Sequence, residues 1–113
     1  MTPKEHLIYD YLNSNHRGCG SAIHSKMLER TFNLSGRTLR YHINILRKCG
    51  LPICSDDRGY WIGTNAQEIN GTISRFGDYI NEFCCVKAGL AYASIQMRRR
   101  PHKESIEITV KLN

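Results

Sequence analysis

Five basic side chains, Arg30, Arg37, Arg40, Arg47 and Lys48, fall within nineteen residues that contain no Asp or Glu. Guanidinium and ammonium groups in such a run attract phosphate with no neighbouring carboxylate to oppose them. Their spacing adds to this. At about 100° per residue of a helix, Arg37, Tyr41, Asn44 and Lys48 share one side, with Arg40 and Thr38 on its shoulders. Arginine pairs well with guanine and asparagine with adenine, so that side has the chemistry of a base-reading surface. The alternative is a solvated charged face, which ordinarily mixes both signs.

Other chemistries find less support. No GxxxxGK, HExxH or GxSxG string occurs, and the carboxylates are few and scattered. The cysteines, at positions 19, 49, 54, 84 and 85, are odd in number and form no CxxC pair, which argues against a disulfide framework and a zinc ribbon. Cys49 and Cys54 read as small hydrophobes. His16 and Cys19 have a spacing a metal can use, and folding can add His24 or His42, yet no local spacing demands four converging ligands. His42 lies beside an apolar stripe, where a hydrogen-bonded packing role outweighs that of a general base. The expectation is a non-enzyme with no catalytic residue, cofactor or metal.

The basic side must be carried by an element that the sequence delimits. Ser35 offers a side-chain oxygen to cap a helix, and Asn33 tolerates the left-handed turn that ends a preceding one. Leu39, Ile43 and Leu46 recur at spacings of four and three, and Gly50 follows where the period stops, so a helix buries that stripe and exposes the basic side. Upstream, Thr2, Pro3 and Glu5 start a helix expected to run to Asn13, with Leu7, Ile8, Tyr11 and Leu12 at helical spacing. Ser14 to Ser21 reads as a connection. A second helix starts near His24 or Ser25, buries Leu28 and Phe32 and ends at Asn33. Downstream, Pro52 blocks continuation of the third helix, and two short apolar runs flank Ser55-Asp56-Asp57-Arg58-Gly59, which is hairpin chemistry.

Three helices followed by a hairpin, with the third helix basic, is the layout of a winged helix-turn-helix. The strings Ile23-His24-Ser25-Lys26-Met27-Leu28, Phe32-Asn33-Leu34-Ser35, Arg37-Thr38-Leu39-Arg40-Tyr41-His42-Ile43, Leu46-Arg47 with Gly50, Pro52-Ile53 and Gly59-Tyr60-Trp61-Ile62 carry a resemblance. Together they resemble the winged helix-turn-helix domain at the N-terminus of biotin operon repressors and related bacterial regulators, over about Lys4 to Gly63. The resemblance implies that the helix after Ser35 enters the major groove and that the hairpin is the wing. Two departures stand out. Asn33 occupies a turn position where the family often has Gly, and Asp56 and Asp57 at the wing tip repel phosphate, leaving Arg58 as the contact there. The ligase activity of biotin repressors belongs to a large domain not matched here, so it is not carried over. A looser resemblance extends to small helix-turn-helix proteins of prophages.

Residues 1–64 are thus expected to form the DNA-binding domain, and residues 65–113 a C-terminal helix and strand. Asn65 and Glu68 make a capping box, and Ile69, Ile73, Phe76, Ile80, Phe83, Lys87 and Leu90 follow at alternating spacings of four and three, a coiled-coil seam. Gly71, Gly77 and Gly89, together with Lys87 at an apolar position, mar it. The seam reads as a dimerisation surface built on Ile69, Ile73, Phe76, Ile80, Phe83 and Leu90. Packing back onto its own domain is the competing reading. Trp61 either covers the start of this helix or is exposed on the wing. Arg98, Arg99 and Arg100 before Pro101 either grip flanking phosphate or suit the helix macrodipole. Ser105 to Leu112 alternates as a half-buried strand whose neighbour is the wing or a second subunit.

Length and charge agree with these elements. The 113 residues allow one domain with an appendage, and a net charge of +6 with pI near 9.2 suits nucleic acid or an anionic surface. The most apolar stretch, Phe83 to Ile95, is too short to span a bilayer and contains Lys87. MTPKEH lacks the apolar core of a signal peptide, so a cytoplasmic location is expected. The fold class expected is mainly α with a small β-hairpin wing, followed by a long C-terminal helix and a short terminal strand. The function expected is that of a homodimeric regulator binding specific double-stranded DNA through Ser35, Arg37, Thr38, Arg40, Tyr41, Asn44, Arg47, Lys48 and Arg58. A protein-interaction module or a phage replication accessory protein is the alternative, and salt dependence separates them.

Overall fold

The computed structural model describes residues 1–99. Helix α1 spans Pro3–Asn15 and starts in a reciprocal cap: the Thr2 hydroxyl accepts from the Glu5 amide at 3.4 Å, and Glu5 Oε1 accepts from the Thr2 amide at 2.9 Å. Pro3 sits at the first turn, where its missing N–H leaves no bond unmade. The helix runs two residues beyond the expected end at Asn13. Ile8 and Leu12 are buried, whereas Leu7 faces solvent.

Helix α2 spans Ser25–Phe32, with His24 Nδ1 accepting from the Lys26 amide at 3.2 Å. It ends at Asn33, whose φ of 52° is left-handed, and the Leu34 amide closes the turn on the Glu29 carbonyl at 2.9 Å. Ser35 then caps helix α3, Gly36–Lys48, by accepting from the Thr38 amide at 3.2 Å. The stripe of Leu39, Ile43 and Leu46 is buried as its spacing requires. Cys54 is buried as well, but Cys49, at the C-terminal cap of α3, is exposed, because the stripe has already ended there.

Strands β1, Ile53–Asp56, and β2, Gly59–Ile62, pair antiparallel around a two-residue turn of Asp57 and Arg58. The segment read as a plain connection does more than connect. The Gly18 amide donates to the Ile62 carbonyl and the Ile62 amide to the His16 carbonyl, both at 2.8 Å. Ile23 and Tyr60 exchange two backbone bonds of 2.8 and 2.9 Å. The free edge of β2 is therefore paired in two places by the chain between α1 and α2, which also holds a 3-10 turn at Cys19–Ser21.

Ile8, Leu12, Ile23, Leu28, Leu39, Ile43, Leu46, Ile53 and Ile62 form one core joining the three helices to the hairpin. Each such side chain contributes about 1.5–3 kcal/mol on burial. The fold is mainly helical with a small two-stranded antiparallel sheet.

Helix α4 spans Ala66–Arg99. Its cap is half the expected box. Asn65 Oδ1 accepts from the Glu68 amide at 2.9 Å, but the Glu68 carboxylate collects Trp61 Nε1 at 3.0 Å, the Thr64 amide at 3.2 Å and the Cys19 amide at 3.3 Å. Trp61 is buried over this start of α4, which decides between its two readings. One turn further, Thr72 is buried and its hydroxyl accepts from the Ser55 amide at 3.2 Å. These ties carry the first compact unit, Met1–Ser74, past the expected boundary at residue 64; the second begins at Arg75. Within the second unit, Phe76, Tyr79, Ile80, Phe83, Val86 and Leu90 are all exposed. No helix among the described residues is long and apolar enough to cross a membrane. The strand expected at Ser105 to Leu112, and Arg100 with Pro101, lie outside the described residues.

Candidate nucleic-acid interface

Amphipathic burial fixes what α3 presents. With Leu39, Ile43 and Leu46 inward, Arg37, Thr38, Arg40, Tyr41, Asn44 and Lys48 all emerge on the exposed side. Tyr41 is 62% exposed, and its ring meets the edge of His42 at 5.5 Å between centroids. The Ser35 hydroxyl donates to Thr38 Oγ1 at 3.0 Å while accepting from the Thr38 amide, so it is spent on the cap.

Two polar anchors join the core in holding this helix. His42 Nδ1 lies 2.6 Å from Glu5 Oε2, tying α3 to the first turn of α1. Glu5 is buried, and its carboxyl is held below the ordinary value of 4.5, first by the Thr2 amide and then by His42. At the other end of α3, Arg47 Nε donates to the Ile53 carbonyl at 2.8 Å and Nη2 to Ser55 Oγ at 2.9 Å, with the guanidinium 5.9 Å from the centre of the Tyr60 ring. Burial lowers the Arg47 pKa and raises that of Tyr60. Arg47, expected on the phosphate side, is therefore half-buried and committed to β1. It turns inward because the hairpin supplies two acceptors where its long side chain reaches past the end of the apolar stripe.

The hairpin tip also differs from expectation. Arg58 Nε and Nη2 donate to the Asp56 carboxylate at 3.1 and 2.7 Å, and the Arg58 amide bonds Asp56 Oδ1 at 2.8 Å. Asp56 accordingly raises the Arg58 pKa. The one cation at the tip is neutralised by the residue two positions before it, which reduces its pull on phosphate.

Proximity in space adds an acid that proximity in sequence hid. A Cβ placed on Gly36 would lie 3.3 Å from Glu29 Oε2 and 3.3 Å from Arg40 Nη1, so a carboxylate of α2 stands beside the start of α3. Glu29 precedes the acid-free run by one residue. Lys26 Nζ approaches the same carboxylate at 3.9 Å. Among the sequence-selected residues, the six on the outer side of α3 come together; Ser35 caps it, while Arg47 and Arg58 are engaged with the hairpin. On α4, Ile73, Phe76, Ile80, Phe83 and Leu90 are exposed as a dimerisation surface requires, but Ile69 is half-buried in the first unit, close against Gly63.

Two other polar clusters stand out among the described residues. A cleft between the start of α2 and the hairpin is lined by His24, Ser25, Asp56 and Asp57, whose carboxylates disfavour an anion there. His16 Nδ1 is 2.8 Å from the Ser21 carbonyl, and among the described residues no three His, Cys, Asp or Glu side chains are grouped to hold a metal ion. No family model, curated protein or solved structure matches the chain.

Proposed function

We propose that the chain is a sequence-specific double-stranded DNA-binding protein, a winged helix-turn-helix regulator of transcription that acts as a homodimer by binding rather than by catalysis. In this reading α2 and α3 are the helix-turn-helix, α3 enters the major groove, and β1 and β2 are the wing. The observation that carries it is the outer side of α3, where Arg37, Arg40, Tyr41, Asn44 and Lys48 are exposed together on a helix whose other side is held by the core, Glu5 and the hairpin. Arg37 and Arg40 suit guanine, Asn44 suits adenine, and Thr38 and Lys48 suit phosphate. The A-form major groove excludes such a helix, which favours DNA over RNA.

Selection of bound sequences from random duplex DNA by the purified protein tests this reading, with a two-fold-related motif expected. In titrations on that motif, Arg40→Ala is expected to cost about 1–3 kcal/mol and to relax preference at one base pair. Recovery of no motif, with binding that ignores salt, would sink the DNA reading. The exposed apolar side chains from Phe76 to Leu90 support a second reading, a protein-interaction module or replication accessory protein, for which an apolar partner and weak salt dependence are expected.

A further inference from the structure

The sequence seam through Ile73, Ile80 and Lys87 places a cation in the middle of an apolar contact, yet the exposed surface of α4 is wider than that seam. Tyr79, Val86 and Met97 are 50%, 51% and 55% exposed alongside Phe76, Phe83 and Leu90. These six fall at alternating spacings of three and four, apart from the small Ala93 between Leu90 and Met97, and they satisfy a heptad with no charged residue in the core. In this register Lys87 moves to one flank of the seam and Glu82 to the other, five residues before it. Gly77 falls outside the seam and Gly89 on its edge; a Cβ on either would meet nothing within 4 Å.

We infer that α4 pairs from Phe76 onward with α4 of a second copy as a parallel two-stranded coil, Glu82 of each copy facing Lys87 of the other. The orientation follows from symmetry. In a parallel pair the two-fold axis runs along the coil and brings opposite flanks together, so a residue on one flank meets the residue five positions later on the partner's other flank. Two Glu82 to Lys87 ion pairs result. In an antiparallel pair like flanks face each other, and Glu82 and Lys87 are about 140° apart on the helix, too far round to meet. Ile69 and Thr72, which continue the heptad toward the N-terminus, are already packed in the first unit, so the seam open to a second copy begins at Phe76. An isolated helix gains little from propensity alone, and for the apolar stripe exposed among the described residues a second identical stripe of complementary flank charge supplies the cover.

This inference rests on the two-copy part of the proposed function and is independent of the DNA. Sedimentation equilibrium of the whole chain is expected to give a dimer. Glu82→Lys and Lys87→Glu singly each replace two attractions by two repulsions and are expected to weaken the dimer on the order of tenfold. The double reversal is expected to restore it to within about twofold. A dimer that ignores these reversals, or is not rescued by the pair, overturns the parallel register. A monomer overturns both that register and the homodimer, while motif selection reports on DNA binding separately.

Discussion

Gly59 sits where β2 and the segment before α2 pass backbone against backbone. Its φ is 122°, and a Cβ there would collide with the Ile23 carbonyl oxygen, backbone that cannot swing aside. The close approach is what allows Ile23 and Tyr60 to exchange their two backbone bonds. Gly59→Ala is expected to break that pairing and lower stability by about 2 kcal/mol or more, read as a lower midpoint in urea unfolding. Glu5 makes a different contribution, through its charge. Its pKa is lowered in the folded chain, so the unfolded chain binds this proton more readily; the stabilisation is fully present above the unfolded value near 4.5 and is lost as pH falls through the folded one. Glu68, lowered first by the Thr64 amide, behaves the same way. Unfolding measured from neutral to acid pH should show stability declining below about 4.5, with a shallower decline in Glu5→Gln. An unchanged acid profile in that variant would mean that the Thr2 and His42 bonds do not favour the ionised carboxylate.

At the scale of elements, α3 separates into residues that hold it and residues it offers, and Arg47 and Lys48 are neighbours on opposite sides of that division. Arg47→Met keeps most of the apolar stem but removes the donors to Ile53 and Ser55, so it is expected to cost about 1.5–3 kcal/mol of stability and leave the salt dependence of DNA binding unchanged. Lys48→Ala is expected to leave stability nearly unchanged and reduce the salt slope by about 1, if Lys48 meets a phosphate. Urea unfolding and salt-titrated binding of the two variants distinguish these roles; a reduced slope in Arg47→Met would return that residue to the interface. The start and end of α3 were legible because caps and left-handed turns are decided within a few residues: Ser35, Asn33 and Gly50 needed no knowledge of the rest of the chain. So was its buried stripe, since period alone specifies it. The inward turn of Arg47 was not, because its acceptors arrive with the hairpin. The pairing of Arg17 and Ile23 with β2 involves single bridges, too short to leave any alternation. Glu29 and Glu68 escaped for the same reason, their partners being brought together only by folding: Glu29 reaches the start of α3 across a turn, and Glu68 abandons its own cap for Trp61, Thr64 and Cys19.

For the molecule as a whole, the division after Ser74 separates the two tasks proposed for the chain, and DNA-binding measurements can report on each independently. Every residue of the main core lies in Met1–Ser74, as do the Ser55 to Thr72 and Trp61 to Glu68 ties that hold the beginning of α4. A chain ending at Ser74 is therefore expected to unfold cooperatively and to keep the outer side of α3 intact. What it loses is the surface assigned above to the second copy. Log affinity for duplex DNA falls with log salt by about 0.9 for each phosphate neutralised, so a bound pair has roughly twice the slope of one copy making the same contacts. On DNA carrying the selected two-fold motif, the whole chain is expected to show about double the slope of residues 1–74, and on a half-motif the shorter chain is expected to bind with its slope unchanged. Equal slopes for the two chains on the full motif would mean either that one copy suffices or that the first unit dimerises unaided, and sedimentation of residues 1–74 separates those cases. Cooperative unfolding of the shorter chain with no binding to either DNA would instead place essential contacts beyond Ser74, where Arg98 and Arg99 are the basic side chains at the end of α4.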